Sequence, residues 1–228
     1  MPKTILDVSR WQGEINWNAV KASGLISGVM LKTVSTNRKL SKRKDGLYID
    51  PTFERNYAEC KRVGLPVGVY YYTYATDKEM ADAELAMLKT ALIGKTFELP
   101  ISVDVEDNKI KKLSTQALTG LAAYALATVE QWGFYALLYV GLNFAQKELY
   151  MGGAALRKYD VWLARYPSDK SKTKPEDKPK TDFSFGMWQY TSTASVPGVS
   201  GNVDLSHAYK DYTKIIAKKG LTRLREGK

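Results

Sequence analysis

Short apolar, β-branched runs recur along the chain and alternate with stretches of helical periodicity. The strand-like runs are Thr4–Val8, Val29–Val34, Val67–Tyr74, Ile101–Glu106, Tyr135–Val140, Asp160–Ala164, Phe185–Tyr190 and a last one around Val203. Between them, Asp50-Pro51 reads as an N-cap and first turn, followed by Phe53, Tyr57 and Cys60 at helical spacing, with Gly64 as the stop. Thr76-Asp77-Lys78-Glu79 reads as a capping box before Ala81, Leu85, Leu88 and Leu92. Ser114 opens a third helix carrying Leu118, Leu121, Ala122, Ala125 and Val129, closed by Gly133. Strand–helix alternation predicts parallel βαβ units, and eight strands suffice to close a barrel. The alternation then decays. Residues 166–184 are rich in Lys, Pro, Ser and Asp without apolar period, and 191–202 read as loop. The expected fold is therefore α/β, a single irregular TIM-like β/α barrel of eight strands lacking helices in its last third. The barrel is expected over residues 1–212, with 213–228 a basic C-terminal helix or tail.

Composition narrows the chemistry. The 228 residues hold one cysteine and one histidine, Cys60 and His207. An intrachain disulfide is excluded, and neither a Cys-rich zinc site nor a His-x-x-x-His peptidase site can be assembled. No metal or cofactor is expected. Cys60 falls on an apolar helix face, where a buried thiol is the expectation; His207 is expected to begin the last helix in a structural role. No apolar run approaches the ~18 residues of a spanning helix, and Met1-Pro2-Lys3-Thr4 enters the first strand without a signal-like segment.

The net charge of +10 is concentrated in three stretches, 38–44, 170–180 and 210–228, leaving the ordered body slightly acidic. Such stretches can recruit a polyanion, and all three are expected to lie away from the acid-bearing strand ends. None of the nucleic-acid-binding motifs is present, so nucleic acid is not an expected partner.

The sharpest local signal is Val103-Asp104-Val105-Glu106. Side chains alternate along a strand, so the valines face the helix layer while Asp104 and Glu106 point toward the barrel axis. They do so at the C-terminal strand end, where barrel enzymes carry their catalysts. Two adjacent carboxylates repel, raising the proton affinity of one and preparing an acid beside an anion, as glycoside hydrolysis requires. Asp7 ends the first strand and Asp204 follows Val203 on the last, so a closed barrel brings both to the same pocket. Tyr70 and Tyr72 share one strand face, Tyr139 ends another strand, and Trp162 and Trp188 lie in later ones, each a possible sugar platform. Asp104 and Glu106 are two positions apart, with Cα atoms ~6.6 Å from each other. That spacing leaves retaining and inverting courses open, beside a third in which a group of the substrate itself is the nucleophile.

Asp7-Val8-Ser9-Arg10-Trp11-Gln12-Gly13, Gly68-Val69-Tyr70-Tyr71-Tyr72, Val103-Asp104-Val105-Glu106, Tyr139-Val140-Gly141, Trp162-Leu163-Ala164-Arg165-Tyr166, Trp188-Gln189-Tyr190-Thr191 and Gly201-Asn202-Val203-Asp204 occur in that order. This set resembles the family 25 glycoside hydrolases, the Chalaropsis-type lysozymes of bacteria, fungi and phages, across residues 4–212. The resemblance implies hydrolysis of the β-1,4 bond between N-acetylmuramic acid and N-acetylglucosamine in bacterial peptidoglycan. It implies Glu106 as general acid, Asp104 as its partner, Asp7 and Asp204 as flanking carboxylates, and Tyr70, Tyr72, Tyr139, Trp162, Trp188 and Gln189 as substrate contacts. It further implies a monomer that acts outside the cell or on the wall, consistent with a phage endolysin, with anionic wall polymers as a further partner of the basic stretches. Ser35 stands where many relatives have a glutamate, and no wall-binding repeats follow the barrel motifs. A non-catalytic glycan-binding barrel is the alternative; the presence of all four carboxylates speaks against it.

Overall fold

The computed structural model describes residues 1–225. Its strands are β1 (Lys3–Val8), β2 (Gly28–Lys32), β3 (Val34–Thr36), β4 (Leu47–Ile49), β5 (Val67–Tyr72), β6 (Ile101–Asp104), β7 (Ala136–Gly141), β8 (Asp160–Ala164), β9 (Met187–Ala194) and β10 (Val203–Ala208). Eight of them close a barrel in the order β1-β10-β9-β8-β7-β6-β5-β2, with β2 back on β1, and β3 and β4 form a separate hairpin. The helices are α1 (Trp17–Ala22), α2 (Phe53–Arg62), α3 (Lys78–Leu92), α4 (Thr115–Gln131), α5 (Leu142–Glu148) and α6 (Tyr212–Lys219). Among the described residues no α-helix lies between α5 and α6, so the barrel does lack its helical cover over the last third.

Strand alternation divides the apolar residues between two cores. Leu6, Val8, Val29, Leu31, Val67, Val69, Ile101, Val103, Leu138 and Val140 face outward and pack under the helices. Ile5, Met30, Leu137, Trp162 and Met187 face inward and fill the lower barrel, together with Tyr212 and Ile216 of α6. The interior is tight enough to dictate Gly68. A Cβ there would stand 2.5 Å from the Pro100 carbonyl oxygen and 2.6 Å from Met30 Sδ, closer than non-bonded atoms pack.

Helix α6 closes the barrel floor. Tyr212 and Ile216 are almost fully buried, and the Tyr212 hydroxyl donates to Asp160 at the start of β8 (2.7 Å). The boundary expected after residue 212 thus falls inside a helix that packs into the barrel, while residues 226–228 of the expected tail lie outside the described residues.

Several expectations are corrected. The parallel pairing expected of βαβ units does not extend to β10, which runs antiparallel to both β9 and β1 in the otherwise expected eight-strand barrel. The β9–β10 connection spans only residues 195–202, shorter than the dozen or so that a parallel crossover needs. The second strand, expected to reach Val34, stops at Lys32; Thr33 turns away and residues 34–49 form the β3–β4 hairpin. The 38–44 basic stretch is the tip of that hairpin and rises from the acid-bearing end of the barrel, not away from it. Residues 170–180 do lie at the opposite end, where the Thr173 and Pro175 carbonyls meet His207 Nε2 and the Tyr209 hydroxyl (both 2.8 Å). His207 is on β10, not at a helix start. Asp77 alone caps α3 by accepting from Met80 N, and Asp50 spends its carboxylate on Arg10 N and Thr52 instead of capping α2. Cys60 is buried, and burial pushes its thiol pKa up, away from reactivity.

Candidate active site

The inward positions change character along the barrel axis. Below, they are apolar; at the C-terminal end of the parallel strands they become Asp7, Lys32, Tyr70, Tyr72, Asp104, Tyr139 and Gln189. Glu106 lies past the end of β6, but Val105 N still donates to Tyr139 O (3.0 Å), so the chain stays extended and Glu106 keeps the side of Asp104. Asp204 is the second residue of β10 and the direct cross-strand partner of Asp7. Only because β10 is antiparallel does its beginning reach the end where the other strands finish. Asp7, Asp104, Glu106 and Asp204 thereby line one cavity of about 130 Å³ with Lys32, Tyr70, Tyr72, Tyr139, Trp162 and Gln189.

Burial raises the proton affinity of all four acids, and repulsion from neighbouring carboxylates adds to it at Asp7, Asp104 and Glu106. Asp7 is raised chiefly by burial and then by Asp204, Asp104 by burial and then by Glu106, and Glu106 and Asp204 by burial. Lys32 opposes this at Asp104 and Glu106, as the one cation among the lining residues. Asp7 and Asp204 share a hydrogen bond, and the more deeply buried Asp7 is the better proton holder of the pair. The Gln189 amide is fixed by its neighbours: its oxygen accepts from the Tyr139 (3.0 Å) and Tyr166 (2.7 Å) hydroxyls, so its NH₂ must face Asp7 Oδ2 (3.0 Å). Asp104 differs from the rest. Its Oδ1 is buried with no hydrogen-bond partner, an arrangement that costs free energy unless something else supplies a donor. Burial and the nearby carboxylates raise the pKa values of Tyr70, Tyr72 and Tyr139, so their hydroxyls stay protonated.

This arrangement offers a carboxylic acid at the cavity edge, a buried carboxylate awaiting a donor and a proton-sharing pair opposite. The family described as "Glycosyl hydrolases family 25" has a model that matches residues 6–199 of the chain. The chain belongs to this family. It is 26% identical over 201 residues to the "Autolytic lysozyme" of Clostridium acetobutylicum, covering 88% of this chain and 54% of that one. It is also 26% identical over 216 residues to "Lysozyme M1" of Streptomyces globisporus, covering 87% of this chain and 65% of that one. The chain thus spans between half and two thirds of the length of these two relatives. The fold is shared with the crystal structure of the bacterial lysozyme from Streptomyces coelicolor, with a TM-score of 0.75 at 24% identity, covering 95% of this chain and 96% of that one.

In this family 25 hydrolase, Asp7, Asp104, Glu106, Asp204, Tyr70, Tyr72, Tyr139, Trp162 and Gln189 are brought together, and Trp188 is not. Met187 and Gln189 take the inward positions of β9, so Trp188 faces out. It is 1% exposed, donates its indole N–H to Arg165 O (2.8 Å) and packs on Tyr190 and His207. These aromatics cover the barrel where helices are missing. Trp162 is equally buried and forms the cavity bottom, edge-on to Tyr139 and Tyr70, with its N–H on Ser206 Oγ (2.9 Å). Lys32 and Tyr166 are site residues that the sequence pattern did not single out. Lys32 was within reach, since it follows Met30 by two positions on an inward strand face. Tyr166 lies in irregular chain, where no periodicity orients a side chain. Ser35 lies on β3, where its hydroxyl bonds Tyr74, and it does not line the cavity.

Proposed function

We propose that the chain is a peptidoglycan hydrolase, a muramidase cleaving the β-1,4 bond between N-acetylmuramic acid and N-acetylglucosamine. The observation that carries this reading is the single cavity holding four carboxylates of raised proton affinity at the acid-bearing end of a family 25 barrel. Glu106, at the cavity edge and with its proton affinity raised by burial, donates to the glycosidic oxygen as the bond breaks. Asp104 receives the acetamido N–H of the sugar on its unpartnered Oδ1 and steadies the positive charge as the acetamido oxygen attacks the anomeric carbon. Water that gives its proton to Glu106 then opens this cyclic intermediate from the face the leaving group vacated, which makes the course retaining. Asp7, Asp204 and Gln189 hold the opposite wall, and the neutral tyrosine hydroxyls donate to the sugar. The lysozyme names of the relatives support the same substrate. The site of action is the bacterial wall; among the described residues no helix is long and apolar enough to cross a membrane.

The test is release of reducing sugar from purified peptidoglycan by wild type and by Glu106→Gln. Loss of the general acid is expected to lower turnover by ~10²–10⁴, with the melting temperature held. A folded variant of near-normal activity would refute the assignment, and a wild type that binds glycan without cleaving it would favour the binding-barrel alternative. NMR of the first product should find the retained anomer; an inverted one would overturn the retaining course.

A further inference from the structure

A second cavity of about 370 Å³ adjoins the first and shares Glu106 and Tyr139 as its wall. Its charge is reversed. The first holds four carboxylates against Lys32, whereas in the second Glu106 is the only acid among the lining residues and Lys111 and Arg165 are both present. Neither cation belongs to any of the ion pairs among the described residues. Both stand on fixed supports. Arg165 donates its backbone N–H to Gln189 O (3.1 Å), and its own carbonyl accepts from the Trp188 indole (2.8 Å). Lys111 sits in a 3-10 turn anchored by the fully buried Ile110, with Nζ 5.4 Å from the Phe144 ring centroid. Two exposed cations thus converge on one cleft beside the proton donor.

We infer that this cleft binds the carboxylate-bearing peptide stem of the glycan substrate, with Arg165 and Lys111 as its specificity-determining residues. The inference rests on the muramidase reading. Muramic acid carries an acidic side arm extended by a peptide that ends in carboxylates. The acid-lined cavity repels such an arm, while the adjoining cleft attracts it. A guanidinium fork matches a carboxylate in a two-bond geometry, and the ammonium adds a second charge. Glycan register across Glu106 is then set in part by the arm and not by the sugar rings alone.

The experiment uses phosphate-free, N-acetylated tetrasaccharides bearing peptide stems, with the stem carboxylates either free or converted to amides. KM and kcat are measured for wild type and for the double variant Lys111→Gln/Arg165→Gln. Wild type is expected to prefer the free acid by ~10- to 100-fold in KM, and the double variant to lose most of that preference while kcat moves by less than about threefold. Equilibrium binding of both fragments is measured in parallel in Glu106→Gln, with and without the two cation substitutions. Turnover without a carboxylate preference overturns the inference and leaves the muramidase reading standing. Cation-dependent binding of the free acid without turnover in wild type does the reverse. Inhibition of wild type, but not of the double variant, by purified teichoic acid at matched charge would assign the cleft to phosphate and overturn the stem.

Discussion

Asp104 and Asp160 are both buried aspartates on inner-barrel strands, one at the mouth and one at the floor, and they are treated in opposite ways. Asp160 is saturated: Val161 N donates to Oδ1, and the hydroxyls of Tyr135 and Tyr212 and the Lys210 ammonium all converge on Oδ2. Asp104 keeps an oxygen without any donor and faces three further acids. The floor has its own cavity, about 450 Å³ and roomier than the mouth, yet its buried acid is already engaged. Size is therefore a poor guide to chemistry in this barrel. What marks the mouth is unmet hydrogen-bonding capacity, a cost in stability held in reserve for a ligand.

The difference can be broken from either side. Asp160→Ala leaves two hydroxyls and an ammonium facing a void at the joint between α6 and β8. It is expected to cost roughly 3 kcal/mol by chemical denaturation, the low end for a broken buried pair because Lys210 is half exposed. Activity per folded molecule should persist. Asp104→Asn should act in the other direction, raising stability by about 1–2 kcal/mol as a buried acid crowded by other acids gives way to a neutral amide, while turnover collapses. If both substitutions destabilise equally, the contrast between mouth and floor is false.

A third prediction concerns pH. Glu84 on α3 is fully buried beneath the segment after β5, accepting from Thr73 Oγ1 (2.6 Å) and Tyr74 N (2.8 Å). Burial raises its pKa from the ordinary 4.5 to about 7. The folded state then holds a proton that the unfolded chain has released, so this group's stabilisation is complete below pH 4.5 and lost as pH rises through about 7. Glu84→Gln should flatten that fall, by up to about 1.4 kcal/mol per pH unit; an unchanged profile of folding free energy between pH 5 and 7 would count against it. The smallest effect is expected at the floor-side loop. Neutralising Lys170, Lys172, Lys174, Lys178 and Lys180, all exposed, should weaken binding to whole walls by ~2- to 3-fold at physiological salt and flatten its salt dependence. Turnover of short uncharged glycan should hold, and a parallel fall there would place the loop at the active site.

How far the site could be read from sequence depended on whether a rule of alternation applied. Val103-Asp104-Val105-Glu106 obeys the two-residue period, and the inward acids and outward valines follow from it directly. The same rule places Gln189 inside and Trp188 outside, but a tryptophan in a family motif invited the wrong face. Strand direction is a different matter. Nothing in Val203-Asp204 itself distinguishes an antiparallel strand from a parallel one; the information lies in the short connection before it. The strands β3 and β4 are three residues each, too short for a periodic signal, and Tyr166 belongs to irregular chain; in both places tertiary contacts decide and local pattern is silent.

The pairing of β1 with β10 has a consequence for how activity comes into being. Asp7 meets Asp204 and Gln189 across this seam, from opposite ends of the described chain. Contacts of such sequence separation carry the largest loop-closure cost and form late. A chain with its helices formed and most of its sheet assembled would still have the seam open, Asp7 without its partners and no enclosed pocket. On refolding, glycan cleavage should therefore return after helical circular dichroism. A partly folded chain would then lack the assembled acid pocket, and the seam would be a safety catch on the hydrolysis proposed for it.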